Sequence, residues 1–84
     1  MARLIRDGDG EGHYGSVVKA IDPLTGKTVG REPIVGNALF VGTATAGMFS
    51  TRDWWLTTPI TEILSESETE IRFKTGNSIY TFYR

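Results

Sequence analysis

The sequence predicts an all-β fold, a small open barrel or sandwich that ends in a three-stranded antiparallel meander. Ten glycines and three prolines divide the 84 residues too finely for an amphipathic helix of more than two turns. Short β-branched and aromatic runs recur between turn residues, a pattern typical of sandwiches and barrels. Closure removes exposed strand edges, so about six short strands favour a barrel or sandwich over a flat sheet.

The C-terminal third carries the strongest β pattern. In residues 69–75, apolar and polar side chains alternate, with Ile71 and Phe73 on one side and charged residues on the other. This alternation is typical of a strand with one buried and one solvated face. The other two strands of the meander are predicted at 60–64 and 79–83, and its turns at 65–68 and 75–78.

The N-terminal half is divided by its turn residues. We expect residues 1–13 to be a flexible acidic segment, in which Leu4 and Ile5 add at most an edge strand. The turn at 22–26 has proline at a position whose φ it presets and glycine where the chain reverses. Further strands are predicted at 14–21, 27–29, 34–35 and 38–41.

Chain length, net charge and composition limit the classes of protein to which this sequence can belong. A chain of 84 residues makes one small domain with a marginal core, so we expect a homo-oligomer on grounds of size. A net charge of −1 and a pI of about 5.7 make a duplex nucleic acid an unfavourable partner. The sequence has no cysteine, no long apolar run and no secretory pattern, which predicts a cytoplasmic protein with no membrane contact.

No catalytic or metal-binding constellation stands out. Residues 7–12 resemble a calcium loop, but Val18 occupies the twelfth position, where a bidentate glutamate belongs, and we interpret the segment as a loop. The same glycines lack the lysine and helix of a phosphate loop. His13 is the single histidine, which is too few for a usual zinc site. We therefore expect a protein that is not an enzyme and has no metal or cofactor.

The segment FSTRDWWLTTP, residues 49–59, concentrates the binding chemistry. Adjacent residues of an extended strand point to opposite faces, so Trp54 and Trp55 cannot both enter the core from one sheet. One indole is then left for a ligand or for a protein partner. Arg52 lies on the side of Trp54 if the segment is extended, and Thr57 and Thr58 add hydroxyl groups.

Two further segments contribute candidate ligand residues. Asn37 follows a glycine bend, and its amide either meets a ligand edge or satisfies the local backbone as an Asx turn. Guanidinium groups suit phosphates because their planar fork donates two hydrogen bonds at once. The candidate ligand-binding residues are Arg31, Asn37, Arg52, Trp54, Trp55, Thr57, Thr58, Lys74 and Asn77.

The closing half of the chain resembles small β-rich proteins encoded by phages and prophages. The resemblance rests on the segment 54–64, WWLTTPITEIL, followed by an alternating strand and by TGNSIY at 75–80, and it extends from about Arg31 onward. It implies a viral or mobile-element setting, in which small proteins of this kind often interfere with a host system.

The resulting hypothesis is a non-catalytic, phage-encoded inhibitor of host antiviral defence that sequesters a nucleotide-type second messenger between subunits in the host cytoplasm. Trp54 or Trp55 would stack on the base, and Arg52, Arg31 or Lys74 would meet phosphates. One alternative is a module that blocks a host protein, with Trp55 as its anchor. Another is a β-barrel that binds single-stranded nucleic acid through Tyr80, Phe82 and Arg72.

Overall fold

A computed structural model describes residues 2–43 and 54–84 of the protein. These residues form nine strands: β1 (Ala2–Arg6), β2 (Gly12–Gly15), β3 (Val17–Ile21), β4 (Thr28–Gly30), β5 (Ala38–Gly42), β6 (Trp54–Leu56), β7 (Ile60–Glu66), β8 (Glu70–Thr75) and β9 (Ile79–Tyr83). No helix occurs in the described part of the chain, so none there could cross a membrane. The all-β prediction is confirmed.

The strands build two antiparallel sheets. The first sheet has the order β2-β1-β9-β8-β7, and the second has the order β4-β3-β5-β6. Strands β7, β8 and β9 form the predicted meander, in which the burial of Ile71 and Phe73 follows the alternation of the sequence. A single core cluster draws Leu4 from the first sheet and Leu39 from the second, as a small sandwich or open barrel requires.

The N-terminal strand differs from the expectation. Strand β1 pairs with β2 on one side and with β9 on the other, so it lies inside the first sheet rather than at its edge. Leu4 has no exposed surface. The expected flexible segment is therefore replaced by strand over Ala2–Arg6, because the apolar side chain of Leu4 completes the core.

The predicted strand at 14–21 is divided at Ser16 between the two sheets. A Cβ atom at Gly15 would lie 1.8 Å from the backbone oxygen of Gly42, so the chain passes from one sheet to the other at a close backbone contact. The predicted strand at 34–35 is absent, and Ile34 and Val35 are exposed beside a turn at Gly36. Gly36 has φ +92°, a conformation that favours glycine.

Candidate functional site

The pairing of the second sheet decides which tryptophan is exposed. Val41 pairs with Trp55 and belongs to the buried core, against which Trp55 packs. Residues paired across an antiparallel sheet lie on the same face, so Trp55 faces inward and Trp54 faces outward. The prediction that the two indoles occupy opposite faces is confirmed.

Trp54 belongs to an exposed cluster on the outer face of the second sheet. Its ring stacks on Phe40 with centroids 5.8 Å apart and an interplanar angle of 19°. On the neighbouring strand, the Nζ atom of Lys19 lies 5.8 Å from the Phe40 ring centroid. Leu56 pairs with Phe40 on the other side. We call Lys19, Phe40, Trp54 and Leu56 the outer platform.

The outer platform exposes apolar surface. Trp54 is 37% exposed and Leu56 is 47% exposed, although both are large apolar side chains. Between Val17 and Trp54 the cross-strand row contains Gly42, which has no side chain. Gly42 is itself buried, so the accessible apolar surface of the platform is mainly that of Trp54 and Leu56.

A groove continues from the platform toward β4. It has a volume of about 440 Å³ and is lined by residues 16–19, Thr28 and Arg31. Within the described ranges, neither Lys19 nor Arg31 pairs with a carboxylate. Glu32, which adjoins Arg31 in sequence, is held by the guanidinium of Arg84. The groove therefore holds two cations, of which Lys19 also belongs to the outer platform.

Trp55 has a structural environment between the two sheets. Its Nε1 atom donates a hydrogen bond of 3.4 Å to the hydroxyl of Tyr80. The guanidinium carbon of Arg6 lies 5.0 Å from the centroid of its ring, which is a cation–π contact. Arg6 also pairs with Asp9 at 2.6 Å. The hydrogen bond from Arg6 lowers the pKa of Asp9, and the same bond raises the pKa of Arg6.

The two threonines after the tryptophans have different environments. Thr57 is buried, and its Oγ1 atom accepts a hydrogen bond of 3.0 Å from the N–H of Leu39. The same hydroxyl donates to the carbonyl oxygen of Thr58 at 2.7 Å. Thr57 therefore anchors the segment after β6 to β5, and Thr58 remains on the surface.

The other sequence-predicted site residues lie apart from the platform. Asn37 forms backbone hydrogen bonds with Ile34 and Ile60, and the N–H of Leu39, which an Asx turn at Asn37 would use, donates to Thr57 instead. Lys74 is exposed on the first sheet, and Asn77 lies in the turn that follows β8. Arg52 lies outside the described residues. The structure thus separates Trp54 from Trp55 and from the buried Thr57, whereas Arg31 lines the groove that Lys19 shares with the outer platform.

Sequence reasoning missed Lys19, Phe40 and Leu56. Each is the partner of the next in one cross-strand row. The alternation in ALFVG, residues 38–42, carries a signal for Phe40, because Leu39 and Val41 are buried on the face that Phe40 does not share. The register that aligns Lys19 with it depends on tertiary pairing, which no local pattern specifies.

The described residues contain no group of three or more histidine, cysteine, aspartate or glutamate side chains that could hold a metal ion. Comparison of the chain with protein-family models, with curated proteins and with solved structures gives no match. The outer platform and its groove therefore have to be interpreted from their own geometry and chemistry.

Proposed function

We propose that this chain is a non-catalytic binding protein that holds a flat, anionic small molecule of the nucleotide class on the outer platform. The observation that carries the proposal is the exposed Trp54 ring on the outer platform beside a groove lined by Lys19 and Arg31, neither of which pairs with a carboxylate among the described residues. A planar base stacks on an indole, and phosphate oxygens accept hydrogen bonds from ammonium and guanidinium groups.

The spacing of the groups favours a ligand longer than a single nucleoside. Trp54 lies on the last strand of the second sheet, and Arg31 follows the strand at the opposite edge. Three inter-strand spacings separate these edges, a distance of about 14 Å. Lys19 lies between them, so a base on Trp54 with phosphates toward Lys19 and Arg31 fits a dinucleotide or polyphosphate better than a free base.

The cellular role that we propose for such binding is sequestration. In this role the protein is a phage-encoded inhibitor that removes a nucleotide second messenger of host antiviral defence in the host cytoplasm. The support is the sequence resemblance described above together with the cations and exposed indole of the platform. Sequestration needs affinity and not turnover, which agrees with a site built from an aromatic ring and two cations.

Isothermal titration with a panel of cyclic and linear dinucleotides tests the proposal. We expect Trp54→Ala to weaken binding about tenfold or more, because stacking on an aromatic ring contributes about 1–3 kcal/mol per base. Trp54→Phe retains a ring and should recover most of the affinity. Arg31→Gln should weaken binding of phosphate-bearing ligands and leave stacking of the uncharged nucleoside unchanged.

Lys74→Gln is the matched control, since it removes one cation from the other sheet. We expect it to bind like the unchanged protein. Absence of heat with every nucleotide would refute the proposal, and so would an affinity that Trp54→Ala leaves intact.

A protein partner is the second candidate, favoured by the exposed Trp54 and Leu56 on the last strand of the second sheet. Because Trp55 is enclosed between the sheets, Trp54 replaces it as the expected anchor. Large exposed apolar side chains of this kind form hot spots when a partner covers them. Capture of a host protein that depends on both Trp54 and Leu56, without nucleotide binding, would favour this function. Native mass measurement would show whether the covering partner is a second copy.

A further inference from the structure

The outer face of the first sheet carries a second aromatic feature, at its N-terminal end. Arg3 pairs with Tyr14 on β2 and with Tyr83 on β9, so the three residues form one cross-strand row. The neighbouring Leu4 is completely buried, which places Arg3 on the outer face. Tyr14 is 59% exposed and Tyr83 is 39% exposed. We call Tyr14, Arg3 and Tyr83 the tyrosine row.

Arg3 is a cation without a carboxylate partner among the residues that the structure describes. Of the other cations on this face, Arg72 pairs with Asp7, and Lys74 lies opposite Glu62 in the strand register. Glu70 lies opposite Tyr83 and bounds the row on the side of β8. The row thus presents one positive charge between two exposed rings, of which the ring of Tyr14 is stacked on His13 with centroids 5.7 Å apart.

We infer that the tyrosine row binds a short single strand of nucleic acid, with bases stacked on Tyr14 and Tyr83 and the phosphate between them held by Arg3. Two inter-strand spacings, about 10 Å, separate the tyrosines across the sheet. This alternation of ring, cation and ring matches the alternation of base, phosphate and base along a nucleic-acid strand. Because every base has a π face, we expect binding to the row to depend on stacking and charge and not on the base sequence.

This inference places the nucleic acid on residues that differ from those expected. Tyr80 and Phe82 were the expected stacking residues, but they are 5% and 3% exposed and belong to the core. Their neighbour Tyr83 points to the opposite side of β9 because side chains alternate along a strand. The row is also distinct from the outer platform, which lies on the other sheet.

Fluorescence anisotropy with a labelled oligothymidylate of about eight nucleotides tests the inference, because single-strand sites of about 4–16 nucleotides are usual for small β-barrels. We expect Tyr14→Ala and Tyr83→Ala each to weaken binding about tenfold, and Tyr→Phe at the same positions to restore it. Log affinity falls as log salt rises, and loss of a single phosphate contact in Arg3→Gln should make this slope less steep by about 0.7.

A control makes the result specific to the row. Lys74→Gln removes a cation from the same face without touching either tyrosine. It should leave the affinity within about twofold of the unchanged protein, while the tyrosine variants differ by the stacking contribution. Absence of binding at low salt would overturn the inference. It would also be overturned if Trp54→Ala weakened binding as much as Tyr83→Ala, since the oligonucleotide would then occupy the outer platform.

Discussion

Two consecutive side chains of the same type have different roles when they point to opposite faces of a strand. Trp54 and Trp55 are consecutive, yet Trp54 stacks on Phe40 at the surface and Trp55 packs against the core. The hydrogen bond to Tyr80 and the guanidinium of Arg6 fix Trp55 further between the sheets. The stabilising residue and the candidate binding residue are therefore separable by single substitutions.

Replacing each tryptophan by alanine should show that Trp55 contributes more to stability than Trp54 does. Trp55→Ala leaves a cavity and an unpaired Tyr80 hydroxyl, so we expect the free energy of unfolding to fall by about 3 kcal/mol. Trp54→Ala loses mainly its stacking on Phe40, and we expect a decrease of about 1 kcal/mol. Denaturant titration monitored by circular dichroism measures both, since tryptophan fluorescence changes with the substitution itself. Equal losses for the two variants would contradict the assignment of Trp55 to the core.

At the scale of elements, the junction between β2 and β3 joins the two sheets. Thr43 donates a hydrogen bond to the carbonyl oxygen of Tyr14, beside the close contact between Gly15 and Gly42. No side chain fits at Gly15, because its Cβ atom would overlap the Gly42 backbone, which cannot move without displacing β5. This contact explains a glycine in a segment that otherwise has strong β propensity.

Two glycine substitutions test that explanation. Gly15→Ala should lower the free energy of unfolding by about 2 kcal/mol or more, since the added methyl group forces two backbones apart. Gly76→Ala is the matched control, because a Cβ atom there would meet nothing within 4 Å. Its effect should stay below about 1 kcal/mol, set by the entropy of the unfolded chain. The midpoints of denaturant titrations provide the measurement, and a neutral Gly15→Ala would contradict the close contact.

Some strands of the fold could be predicted from the sequence and others could not. The meander from β7 to β9 was predictable because alternation in 69–75 and the polar turns are local signals. Strand β1 was not, since its single buried residue, Leu4, acquires its importance only through pairing with Phe82. In the candidate site, the opposite orientation of the tryptophans was predictable from the pleat. The grouping of Trp54 with Lys19 was not, because it depends on register across β5.

At the scale of the whole molecule, one charged contact closes the space between the sheets. Arg6 lies over the ring of Trp55, and Asp9 in the turn after β1 holds its guanidinium. Asp9 also accepts a hydrogen bond from the backbone N–H of Glu11, so the carboxylate fixes the turn as well. Ionised Asp9 therefore stabilises the folded state at two points, which is why its pKa falls below the ordinary 3.8.

This lowered pKa predicts the direction of one pH effect on folding. A carboxylate whose folded pKa lies below its unfolded value of 3.8 stabilises the protein above that pH, and the stabilisation is lost as the pH falls through the folded value. Asp9→Asn should lie below the unchanged protein in free energy of unfolding at neutral pH, and the difference should shrink below about pH 4 and in high salt. Glu68→Gln controls for the loss of one negative charge without the Arg6 contact. Denaturant titrations across pH measure the difference, and a gap between Asp9→Asn and the unchanged protein that widened in acid would show that Asp9 does not act through its ionised form.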